Sequence, residues 1–150
     1  QVEDTANLYG RIKLLCEQIV KRCSDNFLIV RPSMLLGKYS RENNLIRILR
    51  GTADEVSLSA DSTLNCVLYE DVLSFIKLSL EKDIKGVFNL TAKDNLSLNE
   101  IAKYFAKKIP IFGNYCYKTG FFSNEKIKKI CPSFGKTTRD NIETFLSQLK

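Results

Sequence analysis

Residues 7–37 read N-L-Y-G-R-I-K-L-L-C-E-Q-I-V-K-R-C-S-D-N-F-L-I-V-R-P-S-M-L-L-G. The first half carries Leu8, Ile12, Leu15, Cys16, Ile19, Val20 and Cys23 at helical spacing, which predicts an amphipathic helix from about Leu8 to about Cys23. Its apolar stripe is expected to face the core, with Cys16 and Cys23 acting as small hydrophobes. Ser24-Asp25-Asn26 ends it. Phe27-Leu28-Ile29-Val30-Arg31 is then a continuous apolar run, the pattern of a strand buried on both faces in a parallel sheet. Pro32 lacks a donor and should stop regular pairing. Leu35-Leu36-Gly37 is expected to return the chain to the surface.

Working outward, helices and strands keep alternating. Residues 43–50 form a short helical pattern closed by Gly51. Val56–Ser59 and Leu64–Tyr69 read as short strands. Asp71 is placed to cap a helix carrying Val72, Phe75, Ile76 and Leu80. Val87–Thr91 reads as a strand. Ser97 and Glu100 have the spacing of a capping box, and the helix behind them, with Ile101, Ala102, Phe105 and Ile109, should run to Pro110. An aromatic segment, Tyr115–Phe122, precedes a short helix near 124–130 and a last helix after Thr137 or Thr138. The class is α/β.

Composition removes several kinds of function. The 150 residues are 44% hydrophobic and 27% charged, as expected of a globular domain. No apolar run is long enough to span a bilayer, so no membrane partner is expected. The five cysteines form no C-x-x-C and there is no histidine, which removes the usual zinc frameworks and His-based nucleophilic catalysis; no metal is expected. Scattered unpaired cysteines suit a reducing cytoplasm. The net charge of +6 could draw nucleic acid, but no arginine-rich arm or aromatic-glycine stretch accompanies it, and nucleic-acid binding is not expected.

Proton transfer must then use Tyr, Lys, Cys or a carboxylate. Tyr9 and Lys13 stand four apart and share a helix face. A nearby ammonium favours the phenolate, so such a pair can pass a proton as a hydride moves on an adjacent carbon. Spacing alone leaves two readings open: an acid/base pair, or two neighbours on a helix surface.

The order of several motifs bears on that choice. Y-G-R-I-K-L-L-C-E at 9–17, F-L-I-V-R-P-S-M-L-L-G at 27–37, Y-E-D-V-L-S-F-I at 69–76, K-G-V-F-N-L-T at 85–91, S-L-N-E-I-A at 97–102 and S-N-E-K-I-K-K-I at 123–130 together resemble the extended short-chain dehydrogenase/reductase family, in its nucleotide-sugar epimerase, dehydratase and reductase branch. The resemblance implies that Tyr9 is the catalytic acid/base and that Lys13 bonds the nicotinamide ribose, both touching the cofactor. It places Pro32 and Ser33 near the nicotinamide of NAD or NADP. It makes Glu17 structural, sets Met34 against the substrate, and brings Arg47 and Arg50 to the region over the sugar nucleotide.

One departure stands out. The seven glycines nowhere show the G-x-x-G-x-x-G spacing of the loop that cradles a dinucleotide pyrophosphate. The family's serine or threonine ahead of the tyrosine is also not matched; Thr5 is too close to Tyr9. The expectation is therefore a single partial domain over 1–150: the C-terminal half of a Rossmann-like doubly wound sheet plus a small substrate-binding region. Residues 1–37 hold the catalytic helix and following strand, and 38–150 the mostly substrate-side elements. Its partners would be the missing N-terminal half, a nucleotide-sugar substrate and a second copy in a homodimer. Alone it should be inert and bind no cofactor tightly. The rival from another class is a non-catalytic binding or assembly module on the same fold. For Ile12, Leu15 and Ile19, an intramolecular core is expected over a dimer face.

Overall fold

The computed structural model describes residues 8–149; Thr5 lies outside them. Helix α1 spans Leu8–Cys23, the range predicted. Strand β1 (Leu28–Pro32) and β2 (Met34–Leu36) follow, separated by Ser33 alone. Then come α2 (Asn44–Arg50), β3 (Glu55–Leu58), β4 (Thr63–Leu64), β5 (Cys66–Leu68), α3 (Tyr69–Glu81), β6 (Gly86–Leu90), β7 (Leu96–Ser97), α4 (Leu98–Phe105), β8 (Ile111–Tyr115), α5 (Glu125–Lys128), a 3-10 turn at Pro132–Gly135, and α6 (Thr138–Ser147).

The strands pair two by two. β1 runs parallel to β6, β2 to β5 and β3 to β8, while β4 and β7 are antiparallel. The run 28–36 therefore changes partner at Ser33. Up to Pro32 it lies beside β6, with Pro32 opposite Leu90; from Met34 it lies beside β5. The backbone carries both ladders through the change, Ser33 N donating to Leu90 O (3.0 Å) and Met34 N to Asn65 O (3.1 Å). The proline thus ends one ladder without sending the chain outward, and Leu36 is fully buried. That corrects the expected return to the surface at 35–37.

The β2/β5 pair divides two apolar clusters. Successive strand residues point to opposite faces, so Leu36, Cys66 and Leu68 join Leu45, Ile46, Leu64, Leu98, Ile101, Ile142 and Phe145. Val67 and Leu35 join Val72, Phe75, Phe88, Leu90, Ile127 and Phe134. In the second cluster Phe75 sits edge-on to Phe88 and Phe134, with centroids 5.1 and 6.4 Å away. Burying such a ring stabilises by ~2–3 kcal/mol.

Local signals in the sequence hold well at helix ends. Asn43 Oδ1 accepts from Ile46 N at 3.0 Å to start α2, and Gly51 (φ 72°) ends it in the left-handed conformation that glycine adopts without strain. Capping boxes start α4 (Ser97/Glu100) and α6 (Thr137/Asp140). Two ends differ from expectation. Helix α3 starts at Tyr69 behind Leu68 with no side-chain cap, because Asp71 lies within the first turn and binds Lys136 Nζ at 3.3 Å instead. Helix α4 stops at Phe105, since Ala106 is already extended, and Ile109 is left exposed.

The largest correction concerns α1. It has no buried residue. Ile12, Leu15 and Ile19 are 51%, 57% and 52% exposed, and Cys16 and Cys23 are exposed too. Gly10, Leu14 and Glu17 are the half-covered positions, one face at i, i+4, i+7. The helix thus meets the body with that face and turns its apolar stripe outward. Strand β1 is correspondingly half-buried rather than covered on both faces, pairing only with β6 among the described strands.

Candidate functional site

The partner exchange at Ser33 opens a cavity of about 380 Å³. It lies at the carboxyl ends of the parallel strands β1 and β6, where open α/β sheets bind ligands. From the first crossing segment come Arg31, Pro32, Ser33 and Met34; Asn89 and Thr91 come from the end of β6, and Leu64 and Asn65 from the junction of β4 and β5. Tyr117, Thr119 and Phe122 of the aromatic segment close it.

Each wall is fixed by bonds of its own. Asn65 is spent on structure: its Nδ2 donates to Ala92 O (3.2 Å) and Asp94 O (2.7 Å), and its Oδ1 accepts from Ala92 N (2.8 Å). Buried Asn124 donates to Thr91 O at 3.1 Å and Phe134 O at 2.8 Å, holding the backbone just past β6. The aromatic wall is stitched to β4: Tyr117 N donates to Ser62 Oγ (3.0 Å), Thr63 N to Tyr117 O (2.8 Å) and Thr119 Oγ1 to Thr63 O (2.7 Å). Ser33 Oγ and Thr91 Oγ1 differ from these groups: both oxygens are buried, and neither has a hydrogen-bond partner among the described residues. An unpaired buried hydroxyl costs of order 1–3 kcal/mol.

Arg31 brings a cation to the lining, and Glu17 meets it. The guanidinium donates from Nε to Glu17 Oε1 (2.7 Å) and from Nη2 to Glu17 Oε2 (2.6 Å). The pair connects the cavity to α1, where Tyr9 and Lys13 sit two turns and one turn before Glu17. Lys13 Nζ lies over the Tyr9 ring, 5.4 Å from its centroid. Tyr9 is 71% exposed, and neither residue lines the cavity.

The other expected residues divide. Pro32, Ser33 and Met34 all line the cavity. Arg47 lines a separate shallow cleft with Asn44, Glu55, Val56 and Ser57, and Arg50 is exposed, with Nη2 3.5 Å from Lys38 O. Sequence reading missed Asn65, Asn89, Thr91, Tyr117, Thr119 and Phe122 as lining residues. The aromatic segment was visible as a cluster, but no local pattern places it beside residue 33. No group of three or more acidic, Cys or His side chains that could hold a metal occurs among the described residues.

Residues 3–126 match the family described as RmlD substrate binding domain. The chain belongs to that family. It is 30% identical over 108 residues to a dTDP-4-dehydrorhamnose reductase of Sinorhizobium fredii (strain NBRC 101917 / NGR234), a match covering 65% of the chain and 36% of that protein. Among solved structures it resembles the dTDP-4-dehydrorhamnose reductase of Yersinia enterocolitica, with a TM-score of 0.77 and 18% identity over 100% of the chain and 59% of that one. It also resembles the enzyme of the same name from Bacillus anthracis str. Ames in complex with NADP, with a TM-score of 0.70 and 21% identity over 97% and 57%. This RmlD-family chain therefore has the Rossmann-type α/β fold of nucleotide-sugar reductases and spans little more than half the length of those solved enzymes. No described helix is long and apolar enough to cross a membrane.

Proposed function

We propose that this chain is the substrate-side part of a nicotinamide-dependent reductase acting on a nucleotide-linked keto sugar of the dTDP-4-dehydrorhamnose type. The observation that carries the reading is the connection from Tyr9 and Lys13, through Glu17 on the same helix, to Arg31 at the cavity. Bound NAD or NADP would supply the hydride. Tyr9 delivers the proton to the sugar oxygen, and Lys13 holds the ribose beside it. Pro32 and Ser33, both in the cavity lining, take the nicotinamide side, and Met34 meets the sugar. Arg47 and Arg50 stay outside the proposal, as neither lines this cavity.

The dinucleotide cradle is absent from this sequence, so we place cofactor affinity in a companion N-terminal half. The outward stripe Ile12, Leu15, Ile19 is the face it would cover. In this proposal residues 1–150 act as one partial domain and turn over nothing unaided. The test is keto-sugar reduction by the protein joined to a glycine-rich βαβ unit. Tyr9→Phe is expected to lower turnover ~10²–10⁴-fold; unchanged turnover would end the reading. Calorimetric titration of the chain alone with NADPH and NADH should show no micromolar binding.

A further inference from the structure

We propose that the exposed rings of Tyr117 and Phe122 form the platform on which the sugar of the ligand packs, and so supply the affinity that the sugar adds to the nucleotide. The inference rests on the nucleotide-sugar reading above and deepens it by naming the wall that holds the sugar.

Three observations converge. The first is position. On that reading Pro32 and Ser33 take the nicotinamide side, and the carbon to be reduced must lie in contact with the hydride donor. The part of the ligand that shares a cavity with Ser33 is therefore the sugar, with the diphosphate and base beyond it. Tyr117 and Phe122 belong to the same lining as Ser33 and Met34.

The second is reach. Tyr117 and Phe122 are 46% and 49% exposed, so each offers surface that the protein's own packing leaves uncovered. Phe75, Phe88 and Phe134, by contrast, are spent on the core.

The third is rigidity. The backbone of Tyr117 bonds Ser62 Oγ (3.0 Å) and Thr63 N (2.8 Å), and Asn95 Nδ2 donates to Thr119 O at 3.2 Å; none of these bonds uses a ring. Past Phe122, Asn124 anchors the chain to Thr91 O and Phe134 O. Ring carbons Cζ and Cε2 of Phe122 lie 3.6 and 3.7 Å from where a Cβ on Gly120 would stand, so this ring folds back along its own segment. A surface held in place before binding loses little freedom when a ligand arrives. The face of an aromatic ring is negative and attracts the slightly positive hydrogens of C–H groups, which a sugar presents on the face of its ring.

The test uses dTDP and dTDP-rhamnose as probes in calorimetric titrations of the chain and four variants, with thermal melts alongside. In the parent the sugar should add affinity over dTDP. Tyr117→Leu and Phe122→Leu keep bulk and remove the aromatic face; each should lose about 3- to 10-fold for dTDP-rhamnose, the range of one ring contact, and nothing for dTDP. Tyr117→Phe and Phe122→Tyr keep the face and should bind as the parent does. Because both rings are half outside the packed protein, all four variants should melt cooperatively near the parent temperature. Unchanged binding in the leucine variants, an equal loss for both nucleotides, or a loss as large in the ring-keeping variants each overturns the platform and leaves the Tyr9 turnover test standing. So does a parent in which the sugar adds no affinity, or a leucine variant that no longer melts cooperatively. Binding of neither nucleotide by the parent removes the nucleotide-sugar reading itself and this proposal with it.

Discussion

The Glu17 carboxylate receives two bonds from the Arg31 guanidinium, at 2.7 and 2.6 Å, and with them ties α1 to the strand that ends in the cavity. The glutamate side chain is 14% exposed and the arginine 30%. A helix that buries none of its own apolar stripe depends on such a tie for its place. Glu17 thus has a structural role, holding α1 against the arginine that lines the cavity.

Removing either partner should loosen α1 before it weakens the core. Glu17→Ala and Arg31→Ala are expected to couple by about 1–2 kcal/mol in a double-mutant cycle, between the values of exposed and fully buried pairs. Urea denaturation gives the coupling. Amide exchange should quicken along Leu8–Cys23 while β6 stays protected; equal loss in both elements would refute the tether.

The capping boxes predict how acid acts on the fold. The bonds from Ser97 hold the Glu100 carboxyl below the usual carboxylate range, its hydroxyl contributing more than its backbone N–H. Thr137 does the same for Asp140, in the same order of side chain before backbone. Groups depressed in the folded state stabilise it above their unfolded pKa and lose that contribution as pH falls through the folded one. Melting temperature should therefore drop below about pH 4. Ser97→Ala and Thr137→Ala should each cost ~1 kcal/mol near neutrality and make the acid limb shallower. A limb that steepens in both variants would contradict this.

Thiol reactivity should rank by burial. Cys16, Cys23 and Cys116 are exposed and should react promptly with a thiol reagent. Cys66 is fully buried and burial pushes its thiol up to about 12, so the nucleophilic thiolate is scarce. It should react only on unfolding, which mass spectrometry of labelled peptides would show. Labelling of Cys66 in the native state at the rate of Cys116 would be incompatible with the central position of β5.

Gly113 is fixed by closeness rather than by turn geometry. A Cβ there would come within 2.7 Å of the Ser57 carbonyl carbon, closer still to its oxygen, and 3.0 Å from Val56 O. The obstacle is backbone of the paired strand, which cannot swing aside. Gly113→Ala should cost about 1–3 kcal/mol and release β8 from β3, seen as faster exchange at Ile111 and Phe112. Wild-type stability in that variant would mean that the β3/β8 pair sits differently.

What the sequence determined by itself was what its neighbours in the chain enforce. The extent of α1, the Asn43 and Gly51 ends of α2, both capping boxes and the alternation of strands with helices follow from side chains acting within a few residues. The Tyr9–Lys13 approach belongs with these, because one helical turn delivers it. Which face of α1 meets the body was left to long-range packing, since an apolar stripe says that something must cover it and not what. Tertiary structure also made the cavity, by changing the partner of one strand at Ser33 and bringing Asn65, Thr91 and Tyr117 to it across long stretches of chain. A contact of that kind leaves no periodic trace in sequence, because its energy comes from packing and from hydrogen bonds formed only once the chain has closed on itself.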